Sequence, residues 1–136
     1  MAISGAVLII DDEAEVRIGL LESLKVMDLF RNIVEAKDGV EAHRKLSNQE
    51  FSLIILDNKM PKTSGLDVIK GIKSEKSHQN YKTPIIFFSG QFDKKDVMVA
   101  RDFKIRYFLT KPIDNKKLEL MVRHALGIQE GDKKTA

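Results

Sequence analysis

Short apolar runs that alternate with amphipathic stretches constrain the fold of this chain more than any other feature. The runs are rich in β-branched and aromatic residues and cover positions 6–10, 33–34, 53–56, 85–88 and 107–109. Brief runs of this kind, bounded by polar residues, are typical of strands that are buried on both faces. The sequence therefore predicts five buried strands.

The stretches between these runs have the period of a helix. The clearest apolar face has the spacing i, i+3, i+4, i+7 and i+8 and comprises Leu118, Met121, Val122, Ala125 and Leu126. Asp93, with Asp96 three residues later, predicts a capped helix start, and Gly127 predicts a helix end. Five strand–helix pairs with short connections predict an α/β fold, a (βα)5 doubly wound arrangement with helices on both faces of a parallel sheet.

The chain has 136 residues, the length of one domain with a single core. We expect this core to cover about residues 6–127 and residues 128–136, of which 131–136 are polar, to form a flexible tail. No apolar run approaches the roughly 18 residues that span a membrane. The first residues also lack the charged start of a signal peptide, so we expect a cytoplasmic protein.

Composition excludes several classes of site. The absence of cysteine excludes disulfides, thiolate metal centres and a cysteine nucleophile. The three histidines are scattered along the chain, which argues against a histidine metal centre. The net charge of +3 is spread over interleaved acidic and basic residues, and no helix-turn-helix or aromatic stacking motif is evident, so nucleic-acid binding is not expected.

Polar side chains follow four of the five predicted strands. Asp11 and Asp12 follow the first, Asp57 the third, and Ser89 and Lys111 the fourth and fifth. The carboxyl ends of parallel strands lie at one edge of a sheet, where sites in such folds form. Neighbouring carboxylates repel one another, and a hard divalent cation relieves this repulsion. Oxygen ligands without histidine or cysteine favour Mg²⁺.

This set of groups is suited to phosphoryl chemistry. A carboxylate can attack a phosphoryl group to form an acyl phosphate, and Asp57, at the end of the expected central strand, is the predicted nucleophile. Asp11 and Asp12 would hold Mg²⁺, while Lys111 and the Ser89 hydroxyl would each bind a phosphoryl oxygen. Alternatively, the aspartates only cap helices or turns and the lysine is solvated. That alternative does not explain why all four positions hold suitable groups.

Five segments in order resemble the receiver domain of two-component response regulators. They are VLIIDDE (7–13), AKDGVEA (36–42), LDNKMPKTSG (56–65), PIIFFSG (84–90) and FLTKP (108–112). Each motif alone is weakly specific, whereas the ordered set is highly specific. The resemblance implies a flavodoxin-like sheet with strand order 2-1-3-4-5, as in a chemotaxis regulator.

The resemblance also implies roles for individual residues. Asp57 matches the phospho-accepting aspartate, and Lys111 matches the lysine that contacts the phosphoryl group. Asp12 matches the acidic Mg²⁺ ligand, with Asp11 beside it, and a metal-binding backbone carbonyl falls on Lys59. The phosphoryl donor would be a sensor histidine kinase or a histidine phosphotransfer protein, as in a phosphorelay.

A conformational switch is part of the resemblance. Ser89 matches the switch hydroxyl, which should move to the phosphoryl group, and Phe108 occupies the aromatic switch position and should rotate inward. The surface of the fourth helix, fifth strand and fifth helix would then change and contact a downstream protein or a second copy. Lys59 and Gln91, two residues after Asp57 and Ser89, match positions that tune phosphate lifetime.

The sequence departs from the family pattern in three places. Phe108 offers no phenol hydroxyl, and His43 stands where a leucine is usual. Lys104-Ile105 replaces the glycine–alanine pair that usually precedes the last strand, which leaves the shape of that loop open. In the family the bond between Lys111 and Pro112 is cis, which X–Pro bonds permit at small cost.

Three hypotheses for the function remain. The first is a signalling phospho-acceptor that catalyses its own phosphorylation and dephosphorylation rather than an enzyme acting on free substrate, either as a stand-alone protein or as a domain of a larger one. The second is a pseudo-receiver that binds partners without phosphorylation. The third, a phosphatase with an aspartyl nucleophile, fits less well because such enzymes need a second acid where this chain has Lys59, and a cap over the substrate.

Overall fold

The computed structural model describes residues 4–128, which form five strands and five helices in strict alternation. The strands are β1 (Ser4–Ile10), β2 (Phe30–Ala36), β3 (Leu53–Leu56), β4 (Ile85–Ser89) and β5 (Tyr107–Thr110). The helices are α1 (Ala14–Met27), α2 (Gly39–Asn48), α3 (Gly65–Lys73), α4 (Lys94–Asp102) and α5 (Asn115–Leu126). The predicted α/β class and element order are confirmed.

All strand pairs are parallel, and the sheet order is β2-β1-β3-β4-β5, as the resemblance implied. The register aligns the carboxyl ends of the inner strands: Ile10 lies opposite Leu56, and Leu56 lies opposite Phe87. At the same end, Ser89 of β4 lies opposite Thr110 of β5. This alignment brings the residues that follow β1, β3 and β5, together with Ser89, to one edge.

The core has two layers because alternate residues of each strand face opposite sides of the sheet. Leu8 and Ile10 belong to the cluster that α2, α3 and α4 cover, while Val7 and Ile9 belong to the cluster that α1 and α5 cover. Neighbouring Tyr107 and Phe108 pack against different clusters. Phe108 therefore lies on the α4 side of β5.

The helix ends confirm the predicted end of α5 and correct the predicted capping bond of α4. The Asp38 side chain accepts a hydrogen bond from the Glu41 amide at the start of α2, and Gly127 ends α5 with a φ of 69°. Asp93 does hold the N-cap position of α4, but its side chain makes no capping hydrogen bond. The predicted capping bond is therefore absent at Asp93. The Asp96 side chain accepts its hydrogen bond from Asn58, which lies outside the helix.

Two loops bear on the resemblance described above. The bond between Lys111 and Pro112 is cis, as expected. Lys104 adopts a left-handed backbone conformation with a φ of 70°, so the substituted pair keeps the turn that a glycine would form without strain.

Of the predicted tail, residues 129–136 lie outside the described residues. Ile128 is described, and it packs against the cluster under α1 and α5. Among residues 4–128, no helix has both the length and the hydropathy that crossing a membrane requires.

Candidate functional site

Three carboxylates meet at the carboxyl edge of the sheet. Asp11 and Asp12 follow β1, and Asp57 follows the adjacent β3, where its backbone amide donates a hydrogen bond of 2.9 Å to the Ile10 carbonyl. One oxygen from each carboxylate lies within 4.8 Å of the others. Asp11 and Asp57 are buried, with 1% and 3% exposure, whereas Asp12 is exposed.

The Lys111 ammonium group lies between these carboxylates. Its Nζ atom is 2.9 Å from Asp11 Oδ2 and 3.5 Å from Asp57 Oδ1. The backbone places it there because the Lys111 amide donates to the Ser89 carbonyl at 2.8 Å, which extends the pairing of β4 and β5. Burial acts to lower the pKa of Lys111, but the hydrogen bond and charge of Asp11 and the charge of Asp57 outweigh it, so the pKa is raised.

Burial also dominates the titration of the two inner carboxyl groups. Loss of hydration, followed by repulsion from Asp11, raises the pKa of Asp57 to about 6, although Lys111 acts in the opposite direction. Loss of hydration likewise raises the pKa of Asp11 despite its hydrogen bonds with Lys111 and the Glu13 amide. A single ammonium group therefore does not compensate fully for two buried carboxylates.

The donor set fits a hard divalent cation. Three carboxylate oxygens lie close together, and two of them come from buried groups. The pKa values of these two groups are raised first by loss of hydration and further by repulsion between the carboxylates, which a cation would relieve. Mg²⁺ prefers such oxygen ligands and shares its shell with water and phosphate. The residues present therefore suit Mg²⁺ as the sequence predicted.

Ser89 is buried at the end of β4, and its hydroxyl donates a hydrogen bond of 3.1 Å to the Gln91 carbonyl. The chain after β4 turns and brings that carbonyl within reach. Lys59 and Gln91 have exposed side chains on the loops that border the carboxylates. Their effect on phosphate lifetime stays a prediction.

Sequence reasoning missed two contacts of the first loop. Glu13 Oε1 lies 3.3 Å from Lys111 Nζ and is a third carboxylate partner of the lysine. Arg17 Nη1 donates to the Asp11 carbonyl at 2.8 Å, and its Nε donates to Glu35 at 3.1 Å. Neither contact has a spacing signal in the sequence, because each joins segments that only the fold brings together.

The loop after β3 is held by close packing and by one side-chain contact. The Gly65 amide donates to the Asn58 carbonyl at 2.9 Å, and a Cβ atom on Gly65 would lie 2.4 Å from the Asp57 carbonyl oxygen. The Asn58 side chain donates a hydrogen bond of 2.8 Å to Asp96 on α4. The residue next to the predicted nucleophile is therefore connected directly to α4.

Phe108 lies at the edge of an aromatic cluster beside this site. Its ring centroid is 6.1 Å from that of Phe87 and 5.6 Å from that of Phe92. The Arg101 guanidinium lies 5.7 Å from the Phe108 ring. Phe108 is half-buried, so its ring has one packed side and one side open to the surface of α4, β5 and α5.

The family model for the response regulator receiver domain matches residues 7–123. The chain belongs to this family. Receiver domains are signalling modules of two-component systems, and the family implies interaction with histidine kinases or phosphotransfer proteins. The family is also known to use Mg²⁺, with which the acidic cluster is consistent.

Individual relatives agree with the family match. The receiver domain is 29% identical over 120 residues to the transcriptional regulatory protein CpxR of Escherichia coli K12, covering 88% of this chain and 48% of that protein. It is 27% identical over 124 residues to the chemotaxis protein CheY1 of Helicobacter pylori, covering 90% and 98%. The chain thus spans about half of CpxR and nearly all of CheY1.

Solved structures support the fold. The chemotaxis protein CheY4 of Vibrio cholerae superposes with a TM-score of 0.81 at 24% identity, covering 90% of this receiver domain and 99% of that chain. A CheY-like receiver domain protein of Methanospirillum hungatei gives the same TM-score at 17% identity, covering 91% and 94%.

Proposed function

We propose that this receiver domain accepts a phosphoryl group on Asp57 from a phosphohistidine of a histidine kinase or a histidine phosphotransfer protein. The observation that carries the proposal is the position of Lys111 Nζ between Asp11 and Asp57, with three carboxylates within 4.8 Å of one another. The reaction would take place in the cytoplasm, where such kinases present their phosphohistidine.

In the transfer, an oxygen of the Asp57 carboxylate forms a bond to phosphorus as the bond from phosphorus to the imidazole nitrogen breaks. The imidazole leaves with the electron pair of that bond and is protonated by solvent. Lys111 is 3.5 Å from Asp57 Oδ1 and can donate to a phosphoryl oxygen as negative charge concentrates there.

The acidic groups would also bind the metal ion. Asp11, Asp12, Asp57 and the backbone carbonyl of Lys59 would hold Mg²⁺, which, when bound, neutralises charge on the phosphoryl oxygens. Asp11 is kept in position by its hydrogen bond from the Glu13 amide at 2.9 Å and by Arg17 on its carbonyl. The phosphoryl group would be lost when water attacks phosphorus and the bond to the Asp57 oxygen breaks. Lys59 and Gln91, whose side chains are exposed, would influence the rate of this step.

Phosphorylation adds about −1.5 to −2 of charge at Asp57. The Ser89 hydroxyl, which donates to the Gln91 carbonyl without the phosphoryl group, would turn to donate to a phosphoryl oxygen instead. That movement would vacate space, and the half-buried Phe108 ring, 6.1 Å from the Phe87 ring, would rotate inward to fill it. The surface of α4, β5 and α5 would then change and contact a downstream protein or a second copy.

The two rival readings are not favoured. A phosphatase with an aspartyl nucleophile would need an acid two residues after Asp57, where the chain has Lys59. A pseudo-receiver has no use for a buried aspartate that repels its neighbour and is held beside an ammonium group. This arrangement supports a reacting Asp57 over a pseudo-receiver.

The proposal is tested by incubating the protein with phosphoramidate and Mg²⁺ and measuring the intact mass. We expect a single phosphoryl adduct that disappears in Asp57→Asn and forms much more slowly in Lys111→Ala, while Lys116→Ala, an exposed lysine on α5, reacts normally. Turnover of many equivalents of donor without accumulation of the adduct would favour the phosphatase. Absence of an adduct in the wild type would favour the pseudo-receiver.

A further inference from the structure

A cavity lies at the opposite end of the sheet from Asp57. Its volume is about 570 Å³, and it is bordered by the end of α3, the chain entering β4 and the turn between α4 and β5. Sites for small molecules commonly measure about 300–1,000 Å³. The proposed phosphorylation chemistry makes no use of this space.

The cavity is positively charged. Four cationic side chains line it, those of Lys73, Lys82, Lys104 and Arg106, and none of the lining residues is Asp or Glu. Within residues 4–128, none of these four cations forms an ion pair. A concave surface whose charged side chains are all cationic concentrates anions from solution.

Lys73 is the cation set deepest in the wall. It ends α3, is half-buried, and donates a hydrogen bond to the Tyr81 carbonyl, with its Nζ 4.9 Å from the Tyr81 ring centroid. Burial lowers the pKa of Lys73, and no carboxylate acts against this effect. An anion in the cavity would supply the missing counter-charge.

Lys104 stands where the family usually has glycine, at a φ of 70°. Glycine adopts this conformation without steric cost, whereas a lysine is strained there. The strained residue adds an exposed cation to the cavity. The cavity also has an apolar wall, which the half-buried side chains of Pro84, Phe103 and Tyr107 form.

We propose that this cavity binds a small organic anion that has an apolar body, such as an aryl phosphate or an aryl sulfonate. The cations bind the acidic groups, and the wall formed by Pro84, Phe103 and Tyr107 accommodates the body. An inorganic anion would leave that wall in contact with water and therefore bind more weakly. The proposal does not depend on phosphorylation of Asp57.

The probe for the test is naphthalene-1,5-disulfonate, a rigid aromatic dianion with no phosphoryl group to transfer. Titration followed by amide NMR should shift resonances of Lys73, of residues 81–85 and of residues 103–107. The dissociation constant should be at least tenfold lower than that of sulfate measured in the same way. It should rise at least fivefold in Lys73→Met and in Lys104→Gly and stay unchanged in the surface control Lys116→Ala.

Lys104→Gly is the decisive variant because it removes the cation while relieving the backbone, so the protein keeps its fold. Unchanged affinity in Lys104→Gly and Lys73→Met would overturn the proposal. Shifts confined to the groove around Phe92 and Leu120 would also overturn it, because that groove belongs to the α4–β5–α5 surface. Sulfate that binds the same residues as tightly as the disulfonate would show that the apolar wall has no role and would overturn it as well.

Discussion

The side-chain amide of Asn58 donates a hydrogen bond of 2.8 Å to the carboxylate of Asp96. Asn58 follows the proposed phospho-acceptor directly and is 3% exposed, and Asp96 lies in the first turn of α4. The contact therefore joins the loop that carries Asp57 to the helix whose surface is proposed to switch. A change in the position of this loop can reach α4 without passing through Ser89 and Phe108.

A double-mutant cycle measures this contact. A partly buried hydrogen bond to a charged acceptor contributes about 1–2 kcal/mol, so Asn58→Ala and Asp96→Ala should be non-additive by about 1 kcal/mol in urea unfolding. Asp102→Ala, on the same helix but exposed, serves as the control and should add to Asn58→Ala. Additivity of Asn58→Ala and Asp96→Ala within about 0.3 kcal/mol would show that the contact contributes nothing.

The raised pKa of Asp57 makes stability depend on pH when no divalent cation is present. In the unfolded chain an aspartate ionises near pH 4, whereas Asp57 ionises near 6 in the folded protein because it is buried and beside Asp11. The unfolded state therefore releases the proton first, and the free energy of unfolding falls as pH rises from about 4 to about 6.

Asp57→Asn removes this titration and should raise the free energy of unfolding at pH 7 by about 1–3 kcal/mol in chelator-treated buffer. At pH 4 the variant and the wild type should differ much less. Asp12→Asn, at the exposed carboxylate of the cluster, should show a smaller gain. Urea unfolding across this pH range checks the result, and a variant that is less stable than the wild type at pH 7 would contradict it.

Binding of Mg²⁺ to the folded protein should raise the melting temperature. At ten times its dissociation constant a ligand adds about 1.4 kcal/mol, which for a domain of this size is about 3–6 °C. Asp12→Ala should lose most of the shift, while Asp102→Ala, far from the cluster in sequence, should keep it. An equal shift in both variants would place the ion elsewhere.

Two glycines of α3 should respond to alanine in opposite directions. A Cβ atom at Gly65 would meet the Asp57 carbonyl oxygen at 2.4 Å and Asn58 Cα at 2.8 Å, so Gly65→Ala should cost about 1–3 kcal/mol and slow phosphorylation by displacing Asp57. A Cβ atom at Gly71 would meet nothing within 4 Å, so Gly71→Ala should stabilise the helix by about 0.5–1 kcal/mol. Thermal unfolding distinguishes the two, and equal effects would contradict the packing described for this loop.

The sequence predicted the strands best where burial on both faces makes them continuously apolar. Residues 53–56 match β3 at both ends, because this central strand is buried throughout. The second strand was predicted only at 33–34, yet β2 covers Phe30–Ala36. It lies at the edge of the sheet, where Arg31 and Asn32 are exposed and interrupt the apolar run.

The candidate site was predictable as far as strand ends determine it. Asp11, Asp57 and Lys111 converge because each follows the carboxyl end of a parallel strand. The bond from Ser89 to the Gln91 carbonyl and the contact between Asn58 and Asp96 depend on how loops turn after those strands. Loop geometry has no periodic signal, so these contacts required coordinates.

The most direct test of the central claim is to locate the phosphoryl group. The protein is reacted with phosphoramidate and Mg²⁺ and then with borohydride, which reduces an aspartyl phosphate to homoserine, and its peptides are sequenced by mass spectrometry. The account predicts homoserine at position 57 alone, in an amount that follows the adduct seen in the intact mass. Homoserine at position 11 or 12, or a stable phosphate ester on Ser89 with Asp57 unmodified, would contradict it.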